Sequence, residues 1–379
     1  MPWLAGTGVD ADVVMSSRVR LARNLVVPGR GGEGLKFPAR SSREERAEVL
    51  ALVKARILEA LAGQVTWVDL HQAKVTDRHL LVERHLISKQ HARGRAGEVI
   101  PESATPAAMA AALHGDSAGR SELDPRGVAF SVPDERLSIM VNEEDHLRIQ
   151  HVDPGLSLAE AWREADRVDD LLEDALDFAY APRFGYLTAC PTNCGSGLRM
   201  SVMLHLPGLK LTGDIDKVKR AATDMNLAVR GFYGEGSDAI GDFYQLSNQT
   251  TLGKPERVIL HELAQEILPQ VIEYERLARR TLMAKRRSAL EDQVFRALGT
   301  LTHARLISTE EAMGALSLVR LGVMLDLVRL RGREEDHRLV NHLMLLVQPA
   351  HLQRIAQREL DQDQRRTVRA EMIRTRLGK

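Results

Sequence analysis

The stretch NEEDHLRIQ, residues 142–150, follows directly after the apolar run LSIMV, residues 137–141. It places two glutamates, an aspartate, a histidine and an arginine within six consecutive positions. The apolar run, bounded by charge, predicts a β-strand over residues 136–142. A solvated loop would explain the polarity, but it gives no reason for Arg148 to lie four residues after Glu144. We therefore expect a functional site where this strand ends.

Three further segments also join arginine or glutamate to a turn or strand end: SSRVRLAR (16–23), CPTNCGSGLRMSV (190–202) and RGFYGEGSDAIG (230–241). Arg18 and Arg20 alternate along an extended segment, which directs both side chains to one side. If Arg148, Arg199 and Arg230 joined them, the five guanidinium groups would repel one another unless a strongly anionic ligand bound there. A nucleoside triphosphate with Mg²⁺ is such a ligand. The alternative is five unrelated surface arginines, which composition alone favours.

Glu144 and Glu235 lie in separate turns and raise a second possibility. A guanidinium group is protonated at neutral pH and has no lone pair to offer as a nucleophile. Two carboxylates in its plane can orient one nitrogen toward a γ-phosphorus atom and accept its proton as the N–P bond forms. The alternative is two solvated turns.

Cys190 is predicted to end a strand over residues 185–190, before a turn of Pro, Thr, Asn and Gly. Hydroxyl and N–H donors in such a turn can lower a thiol pKa, and a thiolate would favour a cationic substrate group. The alternative is an inert buried cysteine. A metal site of Cys190, Cys194 and His205 is a poor match to zinc-ligand spacing, and we predict no protein-bound metal.

Composition limits the class of protein. The chain has 379 residues and a formal net charge of zero, so the whole molecule has no electrostatic attraction to nucleic acid or membranes. It has two cysteines, which fits a reducing cytoplasm, and it has neither a leader pattern nor a membrane-length apolar run. It also lacks the GxxxxGK[ST] loop and the HRD and DFG motifs, which excludes P-loop enzymes and ordinary protein kinases.

The pattern along the chain predicts two domains, residues 1–254 and 255–379, the second almost wholly helical. Residues 88–127 read as a surface insertion with a short helix at 106–113. The predicted strands and helices are listed together: strands at 127–132, 136–142 and 185–190, and helices at 42–61, 157–181, 213–227 and 308–330. Capping boxes are expected at Ser157 with Glu160 and at Ser308 with Glu311.

Taken together and in this order, the four segments resemble the phosphagen kinase catalytic domain, and within that superfamily the bacterial protein-arginine kinases. NEEDHLR and CPTN-x-G-[ST]-x-x-R are its most specific motifs. The resemblance covers residues 12–250 and extends loosely through LMLLVQPAHLQ (343–353). It implies an α+β fold, with an antiparallel sheet flanked by helices followed by an all-α domain.

The resemblance also implies the roles of individual residues. Glu144 and Glu235 match the two carboxylates that bind the guanidinium, and Cys190 matches the reactive cysteine of the site. His85, in VERHLIS, matches a residue beside the adenine. The ATP-binding positions carried over are Ser16, Ser17, Arg18, Val19, Arg20, His85, Arg148, Arg199, Met200, Ser201, Val202, Met203, Arg230, Gly231, Phe232, Tyr233, Gly234 and Glu235. ATP and Mg²⁺, carried by the nucleotide, are the implied cofactors.

Small-molecule phosphagen kinases carry a helical domain before the S[ST]RVR segment, whereas Ser16 lies almost at the start of this sequence. We therefore expect a guanidinium site that is open on one side and accepts arginine within a polypeptide. The alternatives are a kinase for free arginine or another small guanidine, and a catalytically silent phosphoarginine-binding adaptor.

The resemblance implies partners as well: protein substrates with exposed arginines, an activator protein, a heat-shock repressor and a Clp unfoldase-protease, with the enzyme a homodimer. The family's RDxxRA motif, a phosphoarginine pocket, corresponds to RRTVRA at residues 365–370. Arg365 and Arg369 match it, but Arg366 stands in place of the acid. Allosteric binding of phosphoarginine at these three arginines is therefore an open expectation, against the alternative of a basic last helix without a ligand.

Overall fold

The protein is represented by a computed structural model that describes residues 4, 7–26, 36–93, 124–233 and 239–378. An eight-stranded sheet dominates the first part of the chain, and all its neighbouring strands are antiparallel. Its strands are β1 (Val14–Arg23), β2 (Val65–Asp69), β3 (Gly127–Ser131), β4 (Leu137–Val141), β5 (Leu147–Pro154), β8 (Leu198–His205), β9 (Leu227–Arg230) and β10 (Phe243–Asn248). A small second sheet pairs β6 (Tyr180–Ala181) with β7 (Gly185–Tyr186).

The spatial order of the large sheet is β2-β3-β4-β5-β1-β8-β10-β9, which makes β1 a central strand. Its alternating sequence explains the placement, because Val19 and Leu21 enter the apolar core on one face while Arg18 and Arg20 point to the other. We call the face that carries Arg18 and Arg20 the arginine face.

Six helices accompany this sheet within the described residues before position 255: α1 (Arg43–Ala60), α2 (Val75–Glu83), α3 (Lys89–Arg93), α4 (Leu158–Glu173), α5 (Pro207–Thr212) and α6 (Ile215–Asp224). Ser42 and Glu45 form a capping box at the start of α1. The box predicted at Ser157 is absent, because the Ser157 hydroxyl donates to the Pro154 carbonyl instead.

Three predicted elements are clearly shorter in the structure, and one of them is the helix expected over 308–330, which ends at Met324. The helix expected over 157–181 ends at Glu173, because Leu25 then bridges Phe178 and the Val26 N–H donates to the Asp177 carbonyl. The strand expected over 185–190 ends at Tyr186, so Cys190 does not end a strand.

The edges of the predicted insertion, residues 88–127, are structured. α3 lies at its start, and Arg126 near its end is buried, with its guanidinium donating to the carbonyls of His91, Ala92 and Asp124. Gly127 already belongs to β3. The short helix predicted at 106–113 lies outside the described residues.

The second part of the chain is helical, as predicted: α7 (Glu256–His261), a π-helical turn (Glu262–Ile267), α8 (Leu268–Lys285), α9 (Arg287–His303), α10 (Thr309–Met324), α11 (Arg333–Leu346), α12 (Pro349–Ala356) and α13 (Gln362–Leu377). The Ser308 hydroxyl caps α10 by accepting the Glu311 N–H. Apolar residues from Ile259 to Ala278 belong to the same core as the sheet. The boundary at residue 254 therefore stays a prediction.

A second apolar core joins the remaining helices to one end of the arginine face, where Met15, Met203 and Phe243 pack against them. Beside it, buried Arg320 of α10 donates to Asn341 Oδ1 and to the Ala11 carbonyl, and its Nη1 lies 2.7 Å from His205 Nδ1. Apolar packing and a buried polar network thus both connect the two parts. Within the described ranges, the helices include none that is long and apolar enough to cross a membrane.

Candidate active site

The arginine face collects side chains from four strands. Arg199 of β8 lies directly opposite Arg20, and Arg148 of β5 lies opposite Ala22, two residues further along β1. Residues opposite one another in antiparallel strands share a face of the sheet. Arg18, Arg20, Arg148 and Arg199 are therefore neighbours on one surface.

Arg230 joins the same face through two more strands. It lies opposite Gln245 of β10, Gln245 lies opposite Met203 of β8, and Met203 lies opposite Ser16 of β1. Ser16 is two residues before Arg18, so the alternation of β1 carries the face from one to the other. All five arginines singled out in the sequence thus occur on one side of the sheet.

The cluster holds an excess of buried positive charge. Burial lowers the pKa of Arg18 to about 10. Burial, followed by the charges of Arg18 and Arg148, lowers the pKa of Arg20 well below its usual value. Among the described residues Arg18 and Arg20 make no ion pair, and Arg18 Nε is buried without a hydrogen-bond partner. An orphaned buried donor beside like charges is suited to an anionic ligand.

Arg148 is bound on its outer side by acids of the turn between β4 and β5. Its Nη1 lies 2.6 Å from Glu143, and its Nη2 binds Glu144 directly and lies 3.7 Å from Asp145. Burial raises the pKa of Glu144, the charges of Asp145 and Glu143 add to the rise, and Arg148 opposes it. Glu144 is therefore a partly exposed carboxylate whose pKa is raised, and it lies beside the arginine cluster.

Glu143 differs from its neighbour. It is buried, its carboxylate accepts the Ser88 hydroxyl at 2.6 Å and the Glu144 N–H at 2.8 Å, and it binds Arg148. Burial alone would raise the pKa of Glu143, but Arg148, His91 and the hydrogen bonds from Ser88 and the Glu144 N–H together outweigh it, and the pKa falls to about 2. Glu143 is thus a fixed anion that orients Arg148.

Cys190 precedes a short 3₁₀ turn, Pro191–Asn193, and its Sγ lies 3.0 Å from the Thr192 hydroxyl. Asn193 Oδ1 accepts a hydrogen bond from Arg199, which joins this turn to the arginine cluster. Asp145 Oδ1 accepts the N–H of Ala189, the residue before the cysteine. The turn that carries Glu143 and Glu144 and the turn around Cys190 are therefore linked by direct hydrogen bonds at one edge of the arginine cluster.

Aromatic rings lie at the other edge. The His85 ring stacks on Tyr233, with centroids 5.7 Å apart, and meets Phe232 edge-on at 5.0 Å. Burial, then the charges of Arg18 and Arg20, hold the pKa of His85 well below its usual value. Gln150 connects this edge to the arginines, because it donates to the His85 carbonyl and accepts from Arg20 Nε, each at 2.8 Å. An uncharged pair of stacked rings beside buried arginines suits a nucleobase whose phosphates contact those arginines.

Several residues from the predicted nucleotide set do not face this site. Ser17, Val19, Met200 and Val202 are buried on the opposite face of the sheet, because they alternate with residues of the arginine face. The Ser17 hydroxyl, for example, donates to the Gly155 carbonyl. The residues that share the arginine face by register are Ser16, Ser201 and Met203. Gly231, Phe232 and Tyr233 follow β9, and Gly234 and Glu235 lie outside the described residues.

Sequence reasoning missed Glu143 and Gln150, although both lie in the stretch 142–150. Two adjacent glutamates look equivalent in sequence. Asn142, in the left-handed region at φ +61°, sets the turn that buries one and exposes the other. The three residues considered as metal ligands, Cys190, Cys194 and His205, do not form one group, since His205 is buried beside Ser317 and Arg320. Within the described ranges, His, Cys, Asp and Glu residues form no group able to hold a metal ion.

The three arginines near the end of the chain lie on α13 and have separate contacts. Arg369 is buried and donates to the carbonyls of Val347 and Ile307. Arg365 donates to the Leu360 carbonyl, and exposed Arg366 lies 3.4 Å from Asp363. Burial, followed by the charge of Arg365, lowers the pKa of Arg369 to about 10.

Two family profiles match the sequence in succession. The profile of the ATP:guanido phosphotransferase C-terminal catalytic domain matches residues 48–278. That of the protein-arginine kinase McsB C-terminal domain matches residues 287–379. Among curated relatives, the protein-arginine kinase of Symbiobacterium thermophilum is 45% identical and that of Halothermothrix orenii is 41% identical. Each alignment covers 99% of this chain and 96% of the relative.

Solved structures agree on the fold. The duplicated taurocyamine kinase from Schistosoma mansoni, with bound transition state analog components, has a TM-score of 0.54 and 26% identity over 70% of this chain and 33% of its own. Lombricine kinase has a TM-score of 0.53 and 24% identity over 74% of this chain and 69% of its own, a likeness in fold alone. The predicted fold class is therefore confirmed.

Proposed function

This chain belongs to the ATP:guanido phosphotransferase family, in its protein-arginine kinase branch, and from that membership we propose that it phosphorylates arginine side chains of proteins with ATP. The observation that carries the mechanism is the cluster of buried and half-buried arginines beside Glu144 and Cys190. It supplies positive charge for a triphosphate and, next to it, a carboxylate for a guanidinium.

The described residues fit a nucleotide. Arg18 and Arg20 provide donors that have no ion-pair partner among the described residues. Arg148 and Arg199 border the same surface. We assign the phosphates to these arginines and to Arg230, and the adenine to the His85 edge. Mg²⁺ carried by the nucleotide would neutralise charge that develops on the phosphoryl oxygens. Fixed cations facing that charge lower the barrier without reorganising during the reaction.

Glu144 is assigned as the base. In the structure it binds Arg148, so a guanidinium already occupies the place where we expect the substrate. An incoming arginine would take over the Glu144 carboxylate, while Glu143 keeps Arg148 on the phosphate side. Glu144 then accepts the proton as the N–P bond forms and the bond from the γ-phosphorus to the β,γ-bridging oxygen breaks, which releases ADP. We propose Glu235, outside the described residues, as the second carboxylate.

Cys190 is assigned to the substrate side of the site. Its thiol lies in the turn that Asn193 joins to Arg199 and that Asp145 joins to the glutamates. A thiolate there would attract the cationic arginine and help to orient it.

The polypeptide nature of the substrate rests on the relatives. The C-terminal profile and the full-length matches lead to proteins named protein-arginine kinase, whereas the solved neighbours are named taurocyamine kinase and lombricine kinase. The second candidate is therefore a kinase for free arginine. Incubation with Mg-ATP and either casein or free arginine separates the two, with phosphoarginine mapped by mass spectrometry and Glu144→Ala as the inactive control. Phosphorylation of free arginine alone would reject our assignment, and function that survives Glu144→Ala would favour a non-catalytic adaptor.

Further assignments follow from the resemblance and belong to the same proposal. They are a cytoplasmic location, a homodimer, marking of proteins for a Clp protease, and action on a heat-shock repressor with an activator protein. Arg365, Arg366 and Arg369 are proposed as a second phosphoarginine site. Their mutual proximity on α13 supports binding of an anion, and Asp363 beside Arg366 supplies an acid close to where the motif lacks one.

A further inference from the structure

A short segment of the helical part, residues 347–351, contacts the site at two points. It has the sequence VQPAH, follows α11 and includes the first residues of α12. Its contacts reach Tyr233, after β9, and Glu83, at the end of α2. Both contacted residues adjoin the aromatic edge assigned to adenine.

The first contact is a hydrogen bond from the Tyr233 hydroxyl to Gln348 Oε1, 2.6 Å long. Gln348 is buried, and its Nε2 donates to the Met344 carbonyl at 3.0 Å, which fixes the orientation of the amide. The acceptor therefore faces the tyrosine permanently. Because the Tyr233 ring stacks on His85, this bond also sets how the two rings meet.

The second contact binds Glu83, close to His85 in the chain. The Glu83 carboxylate accepts the N–H groups of Ala350 and His351 at 2.7 and 3.0 Å, and it lies 2.7 Å from His351 Nδ1. Glu83 is two residues before His85, which has left-handed backbone at φ +58°. The 347–351 segment thus binds next to both members of the stacked pair.

On the basis of the proposed function, we propose that Gln348 is a positioning residue for the nucleotide, holding Tyr233 against His85 so that the helical part of the chain determines the affinity for ATP. Gln348 itself lines no part of the arginine cluster. Its effect passes through the tyrosine ring, whose hydroxyl donates to Gln348 Oε1. A ring that loses this bond must reach another partner, and doing so alters the stack.

A double-mutant cycle of Tyr233→Phe and Gln348→Leu tests the proposal, with Gln353→Leu as the matched control. Gln353 lies on α12, the helix that begins directly after Gln348. It bonds to the Pro349 carbonyl and the Leu360 N–H, but not to Tyr233. Each single variant is expected to raise the ATP dissociation constant and the KM for ATP by about 2- to 10-fold, the effect of one hydrogen bond. The kcat and the KM for the protein substrate should stay within about twofold, as expected for a change in uniform nucleotide binding.

The double variant should bind ATP no more weakly than the weaker-binding single variant, because both changes remove the same hydrogen bond. Multiplying effects, or a Gln353→Leu variant that weakens ATP equally, would overturn the proposal. Equilibrium ATP binding is measured without turnover, so a wild-type chain that binds ATP but makes no phosphoarginine would count against the proposed function alone.

Discussion

Glu143 lies 2.6 Å from Arg148 and is buried, whereas its neighbour Glu144 binds the same guanidinium from a more exposed position. One arginine therefore separates two adjacent carboxylates by function. Glu143 is a permanent partner, and Glu144 is a partner that a substrate can displace.

Glu143 should stabilise the fold in a pH-dependent way. Its pKa falls from 4.5 to about 2 on folding, so its stabilisation is complete above pH 4.5 and is lost as the pH falls toward 2. We expect Glu143→Gln to reduce the free energy of unfolding at pH 7 by about 3 kcal/mol. Urea denaturation at a series of pH values should show the difference from wild type shrinking below pH 4.5. A difference that does not change with pH would contradict this assignment.

Glu144 should set the acid limb of activity. Burial and the charge of Asp145 raise its pKa in the free enzyme, and only the ionised carboxylate accepts a proton, so kcat/KM falls as the pH drops through that raised value. Asp145→Asn removes one of the raising charges and leaves an oxygen to accept the Ala189 N–H. The acid limb should therefore move to lower pH, whereas Asp292→Asn, on the remote α9, should leave it in place. A limb that moves to higher pH would reject Glu144 as the base.

Arg20 should cost stability and supply affinity. Replacement by Met removes a buried charge that Arg18 and Arg148 repel, so the protein without ATP should be as stable as wild type or up to about 1 kcal/mol more stable. The rise in Tm on adding ATP should disappear. Scanning calorimetry with and without ATP measures both, and exposed Arg163→Met provides the control. A retained ATP-induced rise would exclude Arg20 from the phosphate site.

Cys190 and Cys194 provide an internal comparison. Cys190→Ser keeps a hydroxyl near Thr192 but loses the sulfur, so the KM for the protein substrate should rise and kcat should fall by about 10- to 100-fold, a fraction of what loss of a general base costs. Cys194→Ser should change either constant less than twofold, since its Sγ contacts only Thr188 among the described hydrogen bonds. Steady-state kinetics with a varied protein substrate decides, and equal effects of the two changes would remove Cys190 from the site.

Arg320 should be needed for the connection between the two parts of the chain. Arg320→Met leaves His205 Nδ1, Asn341 Oδ1 and the Ala11 carbonyl without their donor, and we expect the free energy of unfolding to fall by about 1–3 kcal/mol for each of these acceptors. Arg296→Met, which removes an exposed pair with Asp292, should cost less than about 0.5 kcal/mol. Denaturant titration of both variants compares them, and similar losses would show that burial is not the cause.

The sequence was informative where a strand alternates and misleading where tertiary contacts replace a regular ladder. Arg18 and Arg20 could be assigned to one side because the period of a strand is two. The residues before Cys190 also looked like a strand, but the Leu187 N–H donates to the Ala179 carbonyl and the Ala189 N–H to Asp145. Asp145 comes from a distant segment, so local pattern could not reveal this contact.

Burial of single charged residues was equally invisible. Nothing in the letters EE distinguishes Glu143 from Glu144, and Gln150 carries no sequence signal of its own. Their roles depend on which strand lies beside β5, because Gln150 contacts Arg20 across the β1 pairing. Glu235 and the site roles of the five arginines stay predictions, since common placement on a face does not by itself establish binding.

The central position of β1 has a consequence for biosynthesis. Its neighbours β5 and β8 come much later in the chain, so β1 emerges from the ribosome long before either strand has been synthesised. The arginines from separate strands cannot gather until that late closure, and loop entropy makes such distant pairing slow. Unfinished chains should therefore be unable to consume ATP, which would protect a growing polypeptide from modifying its own arginines.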